Sequence, residues 1–358
     1  MKTMRIKTLL PWRPASQQGL SLIELLVALV ISVILSLVVY QVFDIAQRTS
    51  RLQAAIAQLQ DSGRFALQTM AQDLRQTDFN GSCDTLSTKF HLESESGLKT
   101  GLASLMGWES ADDSGFANTL ANPVADSPLV TFSGVASTYT PTSPGGVSIE
   151  SANSASQLKL SSSVSKQFQN RILLLEAGES CEVFFNNASQ PDRLAKTRKN
   201  NAFTRNQSPG SSPWGVQAGN ELVAISALDK GVYYLGFDPV NNLPSIMYLD
   251  ISRESPSNQV VANHVAAMRI LYLESGQYRP AASVTDWVSV TALRISLLMQ
   301  SEESVRSARE AETLASEFGI GNFRGLSGAA AEDFTQIFSD NPQRLYQVFT
   351  TTVKLRNR

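Results

Sequence analysis

The chain has 358 residues, 42% of them apolar, with 30 basic and 32 acidic side chains and a formal charge of −2. That is long enough for one large domain or two modest ones. The balance excludes a disordered polyelectrolyte and a chain that holds nucleic acid by bulk charge.

The charge is unevenly placed. Residues 1–19 carry Lys2, Arg5, Lys7 and Arg13 and no acidic side chain. Setting those four aside leaves 26 basic against 32 acidic residues, a formal charge of −6 for the remainder. From Leu25 to Phe43 no charged residue occurs, and Leu, Val and Ile dominate. Such a run is long enough to span a bilayer as a helix, and the basic residues ahead of it fit the cytoplasmic side. A secretory signal peptide would have a shorter apolar core followed by small residues at its cut. A plain anchor fits the length but leaves Glu24 unexplained, because a carboxylate at the membrane end of a helix needs a partner.

A cut between Gly19 and Leu20 would supply that partner. It would create an α-amine at Leu20 and make Glu24 the fifth residue of the new chain. Ammonium and carboxylate would then neutralise each other in a low-dielectric setting. The stretch Gly19-Leu20-Ser21-Leu22-Ile23-Glu24 resembles the prepilin-peptidase site of type IV pilins and type II secretion pseudopilins. In that superfamily Gly precedes the cut, Glu is the fifth residue after it, and the new N-terminus is methylated. Most relatives have Phe where this chain has Leu20.

No proline occurs between Pro14 and Pro123. Beyond Asp44, Leu52, Ile56, Leu59, Ala66, Met70 and Leu74 recur at helical spacings, and Gly63 completes the stripe. One helix from Leu20 to about Thr77 is expected, roughly 85 Å long. From Asn80-Gly81-Ser82 onward the texture changes to short β-like runs between Gly, Ser, Asn and Pro clusters. Expected strands are Leu129–Phe132, Gln157–Leu160, Arg171–Glu176, Glu182–Phe185, Glu221–Ser226, Val232–Phe237, Ile246–Ile251, Met268–Leu273, Val290–Gln300 and Tyr346–Leu355. Residues 133–165 read as exposed loops and residues 301–343 as an insertion.

The fold class is therefore α+β: a membrane helix continues into an amphipathic helix packed on an antiparallel β-sheet head. The expected divisions are a leader over 1–19, the helix over 20–79 (in the membrane over about 20–43) and the head over 80–358. Cys83 and Cys181 both lie in the head. If the head is exported, an oxidising compartment favours a bridge between them; the alternative is two separate buried thiols.

The head narrows the resemblance. Asp61-Ser62-Gly63-Arg64-Phe65-Ala66-Leu67, Asp73-Leu74-Arg75 and Gly81-Ser82-Cys83 are similar to the PilW family of minor pilins. So are Trp287, the run Ala292–Leu298, and the tail from Tyr346 to Arg358. Residues 90–220 carry no motif that can be placed. The resemblance implies a low-copy subunit of pilus assembly or initiation, 339 residues long after removal of the 19-residue leader. It implies a prepilin peptidase/methyltransferase and other minor and major pilins as partners. It also implies residence in the inner membrane, single-pass with a cytoplasmic N-terminus and periplasmic head, before entry into a surface pilus.

No enzyme, cofactor or metal is expected. His91 and His264 have no ligand spacing around them and read as core or surface residues. Asp112-Asp113 and the loop from Asp238 to Asn242 do not follow a calcium-loop pattern. Asn187-Ala188-Ser189 and Asn206-Gln207-Ser208 fit the glycosylation acceptor pattern, and surface loops explain both. The working residues are then Gly19 and Leu20 for processing, Glu24 for assembly, and Cys83 and Cys181 for a bridge. The competing functions are a minor pseudopilin of type II secretion and a tip subunit that binds a surface ligand or takes part in DNA uptake.

Overall fold

The computed structural model describes residues 21–78, 83, 88–92, 105–139, 147–154, 156–164, 166–198, 205–210, 213–219, 222–305, 341 and 343–355. It divides into two compact units, Met1–Gln53 and Ala54–Arg358. Helix α1 runs from Leu22 to Arg75 and contributes to both. The Gly19–Leu20 bond, the Asn80-Gly81-Ser82 stop and most of the 301–343 insertion lie outside the described residues.

In the first unit, the apolar run leaves its side chains unburied. Its two serines are matched locally. Ser32 Oγ donates to the Leu29 carbonyl at 2.8 Å and Ser36 Oγ to the Ser32 carbonyl at 2.7 Å. A helix in lipid needs this, because no water is available there to satisfy a hydroxyl.

In the second unit, Leu59, Gly63, Ala66, Leu67, Met70, Ala71 and Leu74 form one buried face of α1. The helix ends at Arg75, slightly short of the expected Thr77. Asp78 then takes a left-handed φ of 61° and its N–H donates to the Ser133 carbonyl at 3.1 Å. The chain thus leaves the helix directly onto a strand.

The strands, in chain order, are β1 (Thr88–Phe90), β2 (Leu105–Trp108), β3 (Leu129–Tyr139), β4 (Ile149–Ser154), β5 (Gln157–Leu160), β6 (Arg171–Ala177), β7 (Ser180–Asn186) and β8 (Arg193–Ala195). They continue with β9 (Val223–Phe237), β10 (Pro244–Asp250), β11 (Ser257–Asn263), β12 (Val265–Glu274), β13 (Gln277–Arg279), β14 (Val290–Ser304) and β15 (Arg344–Lys354). Among the described residues they form three sheets. The largest has the path β1-β7-β6-β9-β10-β11, with β3 also on β9 and β2 on β3; the second is β13-β12-β14-β15; the third is β4-β5-β8. Pairing is antiparallel except between β1 and β7, where Thr88, Lys89 and Phe90 run parallel to Cys181, Glu182 and Val183.

Two expectations need correction. The described part of residues 133–165 is not a run of exposed loops: β3 continues to Tyr139, and β4 pairs with β5, the strand expected at Gln157–Leu160. The small residues of β3 serve packing, since a Cβ on Gly134 would lie 2.2 Å from the Gln76 carbonyl oxygen. Likewise the two strands expected around Asp229-Lys230-Gly231 are one, the 15-residue β9. Gly231 is not a turn there. It leaves room for the Tyr248 ring, which a Cβ would meet at 2.1 Å.

The buried face of α1 packs with Met268, Ile270, Leu293, Ile295, Leu297 and Val353 from the second sheet and with Phe132 and Tyr233 from the first. Gly63 brings the helix against β15: a Cβ there would sit 2.6 Å from Cδ2 of Phe349.

Candidate functional site at the start of the helix

The first turn of α1 is capped by side chains at both ends of Ser21–Glu24. Glu24 Oε2 accepts the Ser21 backbone N–H at 2.9 Å, and Ser21 Oγ accepts the Ile23 N–H at 3.4 Å. Ser-x-x-Glu is the sequence form of a capping box; here the glutamate takes the amide of the first residue, and the serine hydroxyl takes that of the third. Sequence reasoning treated Glu24 only as a charge and missed Ser21 as its partner, although the Ser21–Glu24 spacing carries the signal. Both residues are exposed. The carboxylate therefore touches chain one residue away from Leu20, where the expected amine would arise.

Cys83 and Cys181 are joined in a disulfide with Cα atoms 5.9 Å apart. Cys181 faces a buried cluster with Leu92, Val135, Ile172 and Leu174, and Cys83 packs at its margin. The bridge ties the segment that follows α1 to β7, beside the parallel β1–β7 pair. Among the described residues, no group of three or more His, Cys, Asp or Glu side chains is placed to hold a metal ion.

Residues 232–357 match the family model described as Type IV Pilus-assembly protein W, and residues 14–40 match the Prokaryotic N-terminal methylation motif. Together these matches support a PilW-family pilin. No curated protein and no solved structure matches it. The first match runs from the middle of β9 through β15, the strands that supply much of the bed for the second half of α1. The second spans the cap and most of the apolar run.

His91, expected as a core or surface residue, lies in the core. It joins a buried polar chain there rather than packing only on apolar neighbours. Its Nε2 is 2.5 Å from Glu182 Oε2, and its Nδ1 is 2.9 Å from Lys196 Nζ. Burial lowers the His91 pKa, and the Lys196 and Lys89 charges add to that against the opposing pull of Glu182. Burial alone would raise Glu182, but its bonds from His91 and the Val216 and Gly215 amides leave it below the usual carboxylate range. Burial also brings Lys196 down to about 8. These residues come from separate strands and loops, so no spacing in the chain announces them.

Proposed function

We propose that this PilW-family pilin acts in type IV pilus assembly or initiation, after removal of residues 1–19 by prepilin peptidase and methylation of Leu20. The matches to the two ends point to a structural protein rather than an enzyme, and to a membrane-anchored pilus subunit. The capping box carries the assembly reading. Glu24 sits at the first turn of an apolar helix that is otherwise unburied, with a carboxylate oxygen already turned toward the backbone at Ser21. Once the bond before Leu20 is cut, an ammonium arises one residue further on and the same carboxylate is its nearest counter-charge. In this reading the helix starts in the inner membrane with its N-terminus cytoplasmic and the head periplasmic. It later joins other pilins in a filament, where an unpaired amine would be costly.

Intact mass tests the processing step: mature protein should begin at Leu20 and carry one methyl group. Gly19→Val should leave full-length precursor, since a branched side chain blocks close approach to the scissile bond. Mature protein in that variant would refute the site. Glu24→Ala tests the assembly step. It should still be cleaved, yet pili per cell should fall by about tenfold or more at normal protein level. Normal piliation would remove Glu24 from the assembly machinery.

A further inference from the structure

Within the second unit, a cleft of about 450 Å³ opens between the flank of α1 and the end of the first sheet. Gln58, Ser62 and Phe65 line it from one side of the helix. The β9–β10 turn contributes Asn241, the chain contributes His264 where it leaves β11 for β12, and β14 contributes Glu302. The turn is firmly built. Asp238 accepts the Val240 N–H on its carboxylate and the Asn242 N–H on its carbonyl, both at 2.8 Å, and Asn242 holds a left-handed φ of 53°. At the end of β11, Ser245 Oγ donates to Asn263 Oδ1 at 2.9 Å and fixes that carboxamide. These walls are set before any ligand arrives, so little ordering remains to be done on binding.

His264 is the unusual member. It is buried, its backbone takes a φ of 64°, and its carbonyl accepts the Gln300 N–H at 2.9 Å. A histidine in that conformation persists only where the surroundings impose it. Its Nδ1 has no hydrogen-bond partner among the described residues. Its Nε2 stops 4.0 Å from Glu302 Oε2, beyond hydrogen-bond reach. A third atom about 2.8 Å from each of these two would bond to both. A hydroxyl oxygen suits the place, since it accepts from Nε2–H and donates its own proton to the carboxylate.

The rest of the lining narrows the ligand. The carboxamides of Gln58 and Asn241 and the Ser62 hydroxyl each donate and accept, and an apolar ligand would strand them. Among the described lining residues Glu302 is the one charged side chain, and its sign opposes a phosphate, sulfate or carboxylate. His264 and Glu302 are too few to hold a metal ion. Phe65 adds an apolar element: it lies 59% exposed beside these polar groups, with a ring face open to C–H bonds. A sugar ring offers both halves of this match, hydroxyls at its edge and C–H groups on its face. We propose that the cleft binds a neutral hexopyranose residue, stacked on Phe65 and held by one hydroxyl between His264 and Glu302. The volume has room for about two such rings. This site is separate from the bond before Leu20, so sugar binding and processing can each fail without the other.

The test is a glycan array probed with the full chain in detergent micelles, carrying neutral hexosides, N-acetylhexosamine oligomers and sulfated or sialylated glycans. Neutral glycans should be retained and charged ones not, with a Kd on the order of 1 mM for a single sugar by titration. Retention of N-acetylhexosamine oligomers alone would identify a cell-wall glycan, and retention of hexosides a surface polysaccharide; either supports the site. Phe65→Ala and Glu302→Ala should each weaken binding about tenfold or more. Both side chains are exposed, so thermal unfolding should stay at the parent value. Leu222→Ala, equally exposed but outside the cleft lining, should bind as the parent does. Three results would overturn the proposal: no glycan retained by the parent chain, charged glycans retained as well as neutral ones, or parent-like binding by both cleft variants. Cross-linking of a Ser62→Cys variant to another pilin, with no glycan retained, would instead make the cleft a contact between subunits.

Discussion

Tyr233 and Asp73 show how one hydrogen bond fixes the helix to the sheet. Tyr233 is buried, and its hydroxyl donates to Asp73 Oδ2 near the end of α1. Tyr233→Phe should leave Asp73 without that donor and cost about 1–2 kcal/mol by denaturant unfolding. The carboxylate itself is held at a price. Burial raises the Asp73 pKa and the charge on Asp229 raises it further, against the pull of the Tyr233 hydroxyl. Folded Asp73 therefore keeps its proton to higher pH than the unfolded chain does. Its ionisation costs nothing below about 3.8 and is felt as pH climbs through the raised value. Asp73→Asn retains an acceptor for Tyr233 and removes the charge. It should unfold later than the parent at pH 7, and that advantage should vanish toward pH 3. An advantage that persists in acid would mean that the charge is not its source. At this scale the sequence was only partly legible. Glu24 stood out because a lone carboxylate precedes an apolar span, whereas the groups that meet at His91 lie too far apart in the chain to suggest one another.

Helix α1 was the most legible element, because its two halves differ in period: an unbroken apolar run, then a stripe at spacings of three and four. Strands with strong apolar alternation, such as β12 and β14, were equally plain. The short β1, β2, β8 and β13 were not, having only three or four residues each. Small polar residues misled in β3, β4 and the middle of β9, where Ser and Gly usually mark turns. In β3 the reason is now visible: Gly134 lies under the Gln76 carbonyl, just past the end of the helix. Gly134→Ala would press a methyl group against the backbone oxygen of Gln76, which cannot rotate aside. A loss of about 1–3 kcal/mol is expected. Thermal unfolding would measure it, and a variant as stable as the parent would show that the helix end is free to shift.

At the scale of the whole molecule, the disulfide closes the largest loop that any covalent bond makes here. Cys83 and Cys181 are 98 residues apart, and in the chain-entropy model such a loop contributes about 4–5 kcal/mol. Reduction should lower the denaturant midpoint by a corresponding amount and slow the chain on a gel, and Cys83→Ser should reproduce both. Two alkylatable thiols in exported protein would count against the bridge. A different consequence follows from the contact between Gly63 and Phe349. Of the described elements the helix is made first, yet the strand that completes its docking face is made last. Until β15 is made, the stripe from Leu59 to Leu74 lacks the last part of its docking face. Folding of this subunit is therefore a late, long-range closure. A chain that stops before β15 would keep part of that apolar face uncovered and open to non-native contacts.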